Sequence, residues 1–162
     1  MRPAVISIGA IHAGSANNVI ADEVKMNGTI RSYDDETRQQ LWDELERAFG
    51  VAKALGGNYE LKIVKGYPAG YNDPDVAALI REIGGEILGT EGMYPDEPGM
   101  GAEDFSYMCL KAPGAMFSLG AKFDSVKRPH HSPNFDLDES AFPIGAAILA
   151  ESAVRLLQTK AK

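Results

Sequence analysis

The chain has 162 residues, of which 44% are hydrophobic and 24% are charged, and its formal net charge is −7. These proportions are close to the averages for globular proteins and exclude a disordered, collagen-like or coiled-coil protein. The acidic balance argues against nucleic acid or an anionic membrane as a partner, because both attract basic surfaces. No apolar run approaches the roughly 18 residues of a membrane span, so we expect no membrane partner.

The first part of the chain predicts two strands, a helix and a third strand. Residues 5–11 are rich in β-branched side chains, and residues 24–33 alternate between apolar and polar, which is typical of a half-buried strand. Asp34 or Asp35 can cap the helix that follows. Apolar residues recur along this helix at intervals of three and four, and two glycines end it. Alternation returns at residues 59–65 and predicts the third strand.

The remainder predicts helices separated by two long loops. Asp73 and Pro74 are typical of a helix start, and Gly89 is typical of a helix end. The further elements that we predict are a loop over 90–104, a short helix over 104–111, a strand over 115–119, a loop over 120–138 and a final helix over 139–157. A single short strand cannot satisfy its own backbone hydrogen bonds. We therefore expect either that the strand of this half pairs with the sheet of the first half, or that the chain is part of a larger protein.

The loop over 120–138 contains two of the three histidines, His130 and His131, close to several carboxylates. Imidazole and carboxylate groups together suit zinc or a similar divalent ion. The composition alone also permits a solvated loop whose acids cap the last helix. In the other loop, glycines allow a ligand to approach the backbone, and Glu103 and Asp104 can bind a metal or cap a helix. Capping is the simpler interpretation for Asp104.

The single cysteine, Cys109, excludes an internal disulfide and an all-cysteine zinc site. Its position inside a predicted helix favours a buried, unreactive thiol. The absence of a disulfide is consistent with a reducing compartment, so we expect a cytoplasmic protein.

Five segments resemble, in chain order, the C-terminal part of the M20 family of metallopeptidases and amidohydrolases. They are NNVIADE (17–23), GTIRS (28–32), YPAGYND (67–73), GAEDFSY (101–107) and HSPNFDLDE (131–139). Each segment is weak evidence by itself, but their order and spacing together are specific. The resemblance is greatest to the subgroup that removes acyl groups from N-acyl amino acids.

The resemblance implies an α/β (α+β) fold in two parts. Residues 1–66 would form a partial satellite domain, the ββαβ portion of a ferredoxin-like sandwich that often mediates dimers. Residues 67–162 would form the C-terminal helical and loop segment of a zinc-peptidase-like α/β catalytic domain. A homodimer through the satellite domain is therefore expected.

The implied activity is hydrolysis of the amide bond of N-acyl amino acids or similar conjugates by a metal-activated water. The resemblance implies a divalent cofactor: zinc, manganese or cobalt. The family's early histidine segment and its Glu-Glu pair have no counterpart in this sequence. We therefore expect a C-terminal fragment that is inactive alone, and we assign the divalent metal to the full-length enzyme. The alternative is a non-catalytic module for small-molecule binding or dimerisation.

The resemblance assigns roles to four residues. His131, directly before Ser-Pro, matches the family's C-terminal metal ligand, whereas its neighbour His130 matches none. Asn18 and Arg31 match satellite residues that bind the substrate, and Gly101 matches a residue that lines the substrate pocket. No residue of this chain is assigned a catalytic role.

Overall fold

The computed structural model describes residues 3–95, 99–122, 124–126 and 128–160. It is a mixed α/β structure, as the sequence predicts. In chain order the elements are strands β1 (Ala4–Ala13) and β2 (Val24–Ser32) and helices α1 (Asp35–Ala54), α2 (Pro74–Leu88), α3 (Phe105–Cys109) and α4 (Phe142–Lys160). Single 3-10 turns follow α2 (Thr90–Gly92) and precede α4 (Glu139–Ala141).

The described residues divide into two compact units. The first unit comprises residues 3–70 and 99–107, and the second comprises residues 71–95, 108–122, 124–126 and 128–160. The segment 99–107 thus belongs to the first unit although the chain on both sides of it belongs to the second. The assignment of residues 1–66 and 67–162 to a satellite and a catalytic domain remains a prediction.

Strands β1 and β2 pair antiparallel, from Ala4 opposite Ser32 to Ala13 opposite Val24. The register shifts between Ile8 and Ala10, so β1 contains a bulge rather than a regular run. Gly28 lies opposite Ile8, and a Cβ atom at Gly28 would lie 2.4 Å from the Ser7 carbonyl oxygen. Only glycine fits this close approach of the two strands.

The prediction that β2 is half-buried along its length is wrong. Val24 and Met26 are 53% and 45% exposed, and only residues 30–32 are half-buried. Helix α1 packs against β2 and begins three residues after it, and the half-buried residues are those nearest to this helix. Alternation in the sequence shows which side chains share a face, but a covering element must still be present to bury them.

Helix α1 begins and ends where its sequence predicts. The Asp34 carboxylate accepts hydrogen bonds from the Thr37 backbone N–H at 2.8 Å and from the Thr37 hydroxyl at 2.9 Å. Such a cap satisfies a donor that the first turn of a helix leaves unpaired. Gly56, with φ 85°, follows the last turn in the left-handed conformation that glycine adopts most easily.

The predicted third strand, residues 59–65, is not formed in the described part of the chain. Its first residue, Tyr59, contacts α1 instead. The Tyr59 ring lies 6.0 Å from the Phe49 ring and 5.0 Å from the Lys53 ammonium, and its hydroxyl donates a hydrogen bond to the Glu46 carbonyl. A strand requires a neighbouring strand for its backbone groups, and the described residues offer none here.

The second unit has its core where α2 and α4 pack together. Ile83 is fully buried and Ile148 is 4% exposed. Helix α2 begins at a cap, since the Asp73 carboxylate accepts from the backbone N–H groups of Asp75 and Val76 at 3.1 Å. It ends at Gly89, as predicted. The buried set is small, so each of its members matters for stability.

An ion-pair cluster also joins α2 and α4. The Arg155 guanidinium on α4 contacts Glu82 and Glu86 on α2 and Glu151 on its own helix. The hydrogen bond from Arg155 holds the pKa of the Glu86 carboxyl below its ordinary value. The three carboxylates are 44–64% exposed and the Arg155 side chain is 27% exposed, so solvent screens these ion pairs and their contribution to stability is modest.

The predicted strand over residues 115–119 is also absent from the described structure. The Asn72 side chain takes the place of a neighbouring strand: its amide and carbonyl groups bond the carbonyl and N–H of Met116, both at 2.9 Å. Leu119 lies against Gly145 on α4, where a Cβ atom would come within 2.9 Å of the leucine side chain. The segment is therefore held by one side chain and a helix, not by a sheet.

Residues Glu139–Gln158 have the length and the mean hydropathy, 1.4, of a membrane span. By length and mean hydropathy, therefore, the prediction that no apolar run approaches the length of a membrane span is wrong. The signal is weak, because a core helix of a soluble protein passes the same test. Helix α4 packs against α2, but only 22% of the apolar window is buried, and Leu149 and Leu157 are 60% and 71% exposed.

Candidate functional site

The loop over residues 120–138 is closed at its base by a hydrogen bond of 2.7 Å from the Asp138 backbone N–H to the Ala121 carbonyl. Within the loop, the Arg128 guanidinium contacts both carboxylate oxygens of Asp124 at 2.6 Å. This contact lowers the pKa of Asp124. The described part of the loop thus has internal contacts that define its conformation.

His131 has the only positive φ angle, 61°, among the described non-glycine residues. The left-handed conformation is unfavourable for a residue with a side chain, and such strain is concentrated at functional sites. The turn that follows has two hydrogen bonds to Ser132: its carbonyl accepts from Phe135 N–H at 3.0 Å, and its hydroxyl accepts from Asn134 N–H at 3.2 Å. The strained residue is therefore followed by a well-defined turn.

The two adjacent histidines have different surroundings. The His130 ring packs on the Phe135 ring, with centroids 5.2 Å apart and planes tilted by 33°. His131 is exposed and has no hydrogen bond, ion pair or ring contact among the described residues. The geometry is thus consistent with a structural role for His130 and leaves the His131 imidazole accessible to a ligand.

The carboxylates that follow in the loop serve the backbone. Asp138 accepts a hydrogen bond of 2.9 Å from the Ser140 N–H at the start of the last helical region. The hydrogen bond from the Ser140 hydroxyl, and after it the one from this N–H, lowers the pKa of Asp138. Asp136 accepts from the N–H of Leu137. The capping interpretation therefore holds for Asp138.

The described residues contain no group of three or more histidine, cysteine, aspartate or glutamate side chains that could hold a metal. A catalytic zinc usually has three protein ligands. The residues present therefore do not fit a complete metal centre, although His131 can supply one ligand.

The predicted substrate-binding residues of the first unit lie at its surface. Asn18 is exposed in the turn after β1, and Arg31 is half-buried on β2, opposite Val5. Among the described residues the Arg31 guanidinium makes no hydrogen bond or ion pair. It is therefore accessible to an external anion, and its planar fork matches carboxylate and phosphate groups.

Gly101 is exposed in the loop before α3, and a Cβ atom at this position would meet no atom within 4 Å. The backbone around Gly101 is thus open to a ligand. Directly after it, the Glu103 carbonyl accepts from the Ser106 N–H and hydroxyl, and the Asp104 carbonyl accepts from Tyr107 N–H. Backbone carbonyls, not the Asp104 carboxylate, make the contacts of this turn.

The structure places Asn18, Arg31 and Gly101 in the first unit and His131 in the second. Two polar residues that hold distant segments, Tyr33 and Asn72, were not predicted from the sequence. Tyr33 bonds Gly99, and Asn72 bonds Met116. An asparagine before a helix cap resembles an ordinary turn residue, and a tyrosine after a strand resembles a surface residue. Neither position carries a local signal for its distant hydrogen-bond partner.

The chain is similar in sequence to several known proteins. The chain is 39% identical over 157 residues to a probable hydrolase of Synechocystis, covering 94% of this chain and 40% of that protein. It is 37% identical over 142 residues to the N-acetyldiaminopimelate deacetylase of Streptococcus sanguinis, covering 86% of this chain and 37% of that protein.

A solved structure is also similar. The YXEP protein of Bacillus subtilis, a dinuclear metal-binding peptidase of the M20 family, superposes with a TM-score of 0.74 at 31% identity, covering 96% of this chain and 42% of that one. The chain thus spans about 40% of the length of these relatives. The model of the peptidase family M20/M25/M40 matches residues 3–155, so the chain belongs to that family.

Proposed function

We propose that this chain supplies the satellite portion and the C-terminal catalytic segment of a cytoplasmic, metal-dependent amidohydrolase. The substrate class is N-acyl amino acids or similar conjugates. The observation that carries the proposal is the family match over residues 3–155, with 37% identity to a deacetylase of an N-acetylated amino acid. The left-handed backbone of His131 supports it, as does the Arg31 guanidinium, which has no hydrogen bond or ion pair among the described residues.

In this proposal the described residues have distinct tasks. Arg31 and Asn18 bind the carboxylate and acyl groups of the substrate, and Gly101 gives the substrate access to the loop backbone. His131 contributes one ligand to a divalent ion, with zinc, manganese and cobalt as the candidates. When bound, such an ion activates water and polarises the amide carbonyl.

We expect the isolated chain to show no hydrolysis of N-acetyl amino acids above background with added zinc, manganese or cobalt. The reason is that the described residues supply one candidate ligand and no complete metal group. A chimera in which this chain replaces the matching segment of the Synechocystis hydrolase, hereafter the chimera, should hydrolyse them in a metal-dependent manner. The rate of amino-acid release measures the activity of the isolated chain and of the chimera.

Metal-dependent turnover by the isolated chain that is lost in His131→Ala would contradict the first expectation. An inactive chimera that is correctly folded by circular dichroism would contradict the proposed function. In that case the favoured function is the second candidate, a non-catalytic binding or dimerisation module. The incomplete set of metal ligands among the described residues supports this alternative.

We also propose a homodimer through the edge of β1. In the described sheet only one edge of β1 is paired, by β2, and Val5, Ile6 and Ile8 on this strand are 39–45% exposed. An unpaired apolar edge favours pairing with another strand. The bulge after Ile8 limits the regular part of this edge to residues 4–8.

The expected result in analytical sedimentation is a dimer at high protein concentration, because pairing of two β1 edges would bury these apolar side chains. Ile8→Pro, which removes a backbone donor from the edge strand, should shift the protein to a monomer. Circular dichroism must show that the variant is folded. Monomeric behaviour of the unmodified chain over the whole concentration range would refute the dimer.

A further inference from the structure

Two tyrosines hold segment 99–107 in the first unit. The Tyr33 hydroxyl donates a hydrogen bond of 3.0 Å to the Gly99 carbonyl, across 66 positions of the sequence. The Tyr67 and Tyr107 rings meet edge to face, with centroids 6.0 Å apart and planes at 87°. The segment is thus anchored near both of its ends, although its flanking residues belong to the other unit.

The bonded pair lies close in sequence to two predicted substrate-binding residues. Arg31 is two positions before Tyr33, and Gly101 is two positions after Gly99. An extended chain advances about 3.3 Å per residue, so each predicted residue is only about 7 Å along the backbone from the bonded pair. The Tyr33 bond therefore controls how far the strand that carries Arg31 can lie from the loop that carries Gly101.

We propose that Tyr33 is a positioning residue whose hydroxyl holds loop 99–101 at the end of β2, so that Arg31 and the loop backbone bind one substrate carboxylate together. This inference deepens the proposed function and rests on it. The Arg31 guanidinium can give a carboxylate two parallel hydrogen bonds. A Cβ atom at Gly101 would meet no atom within 4 Å, so no side chain blocks the approach of a carboxylate to the Gly101 backbone.

The chain offers a conservative test variant and a matched control. Tyr33→Phe keeps the ring and removes only the hydroxyl that reaches Gly99. Tyr59→Phe also removes a hydroxyl that donates to a backbone carbonyl, that of Glu46 at 3.3 Å, within the same unit. The Tyr59 hydroxyl bonds helix α1 rather than segment 99–107, so this control separates general destabilisation from loss of the tether.

The first arm uses the 162-residue chain and NMR relaxation of the Gly99 and Gly101 amides. A rigid backbone has an order parameter of about 0.85 and a flexible one a value below about 0.6. Tyr33→Phe should lower the order parameters at both glycines, and Tyr59→Phe should leave them unchanged. Unchanged values in Tyr33→Phe would overturn the tether.

The second arm is a titration with N-acetyl-L-alanine, followed at the amides of Arg31 and Gly101. The Kd should rise about 3- to 10-fold in Tyr33→Phe, the range expected for one hydrogen bond, and stay unchanged in Tyr59→Phe. The carboxamide analogue, which lacks the carboxylate, should bind all three chains equally weakly.

Equal affinities of the unmodified chain and Tyr33→Phe for N-acetyl-L-alanine would overturn the positioning role, even if the loop becomes more mobile. A lack of binding to the unmodified chain would instead reject the proposed function of this surface. The order parameters would then still decide whether the tether exists, so the two failures are distinguishable.

Discussion

In the chimera, His131→Ala should lower both metal content and hydrolysis of N-acetyl amino acids by at least ~100-fold, because loss of an outer-shell partner of a metal ligand already costs 10- to 100-fold. His131 is exposed and has no contact among the described residues that its loss would break. The effect should therefore appear in metal binding and turnover, with little change in stability. Metal analysis of the purified protein and steady-state kinetics measure it.

His130→Ala is the matched control, because it removes the same side chain one position earlier. The His130 ring packs on Phe135 rather than projecting freely, so its loss should weaken the loop slightly and leave metal content near that of the unmodified chimera. Arg31→Ala should also leave metal content intact and should chiefly raise KM. Equal metal loss in the two histidine variants, or none in either, would mean that the loop is a helix-capping turn and not a ligand site.

The backbone of His131 gives a further check on the same assignment. Its φ of 61° is unfavourable for histidine and ordinary for glycine. His131→Gly should therefore relieve strain and keep the isolated chain at least as stable as His131→Ala, while it removes the imidazole just as completely. In the chimera, loss of metal in both variants would show that the missing imidazole, and not a loss of folding, is the cause.

Ile83→Ala should destabilise the second unit by about 2–5 kcal/mol, the usual loss when a buried isoleucine is truncated. Ile83 is the one large side chain of the described residues that is fully buried. Few other apolar side chains of this unit are buried, so little remains to compensate for the cavity. Urea denaturation followed by far-UV circular dichroism measures the loss, because the single tryptophan, Trp42, lies in the first unit.

Ile87→Ala is the control on the same helix. Ile87 is 42% exposed, so its truncation leaves little cavity and should cost less than about 1 kcal/mol. Both changes replace isoleucine by alanine inside α2, so the difference in helix propensity cancels between them. Similar losses in the two variants would show that α2 is not buried along the face that contains Ile83.

The ends of the long helices could be predicted from the sequence because the interactions that set them are local. Asp34 and Asp73 accept hydrogen bonds from N–H groups two or three residues later, and Gly56 and Gly89 adopt positive φ directly after the last turns. Each signal spans less than one turn of helix. The family resemblance could also be found from the sequence, because it rests on short local segments in a fixed order. The family match over residues 3–155 confirms it.

The fate of the predicted strands was decided only by tertiary structure, because a strand exists only where another strand lies beside it. Residues 59–65 alternate as a strand should, yet Tyr59 packs on α1. Residues 115–119 bond the Asn72 side chain instead of a sheet. Tyr33 and Gly99 are likewise joined across 66 positions. Composition and periodicity describe neighbours along the chain. They therefore contain no information about contacts that form only when the chain folds back on itself.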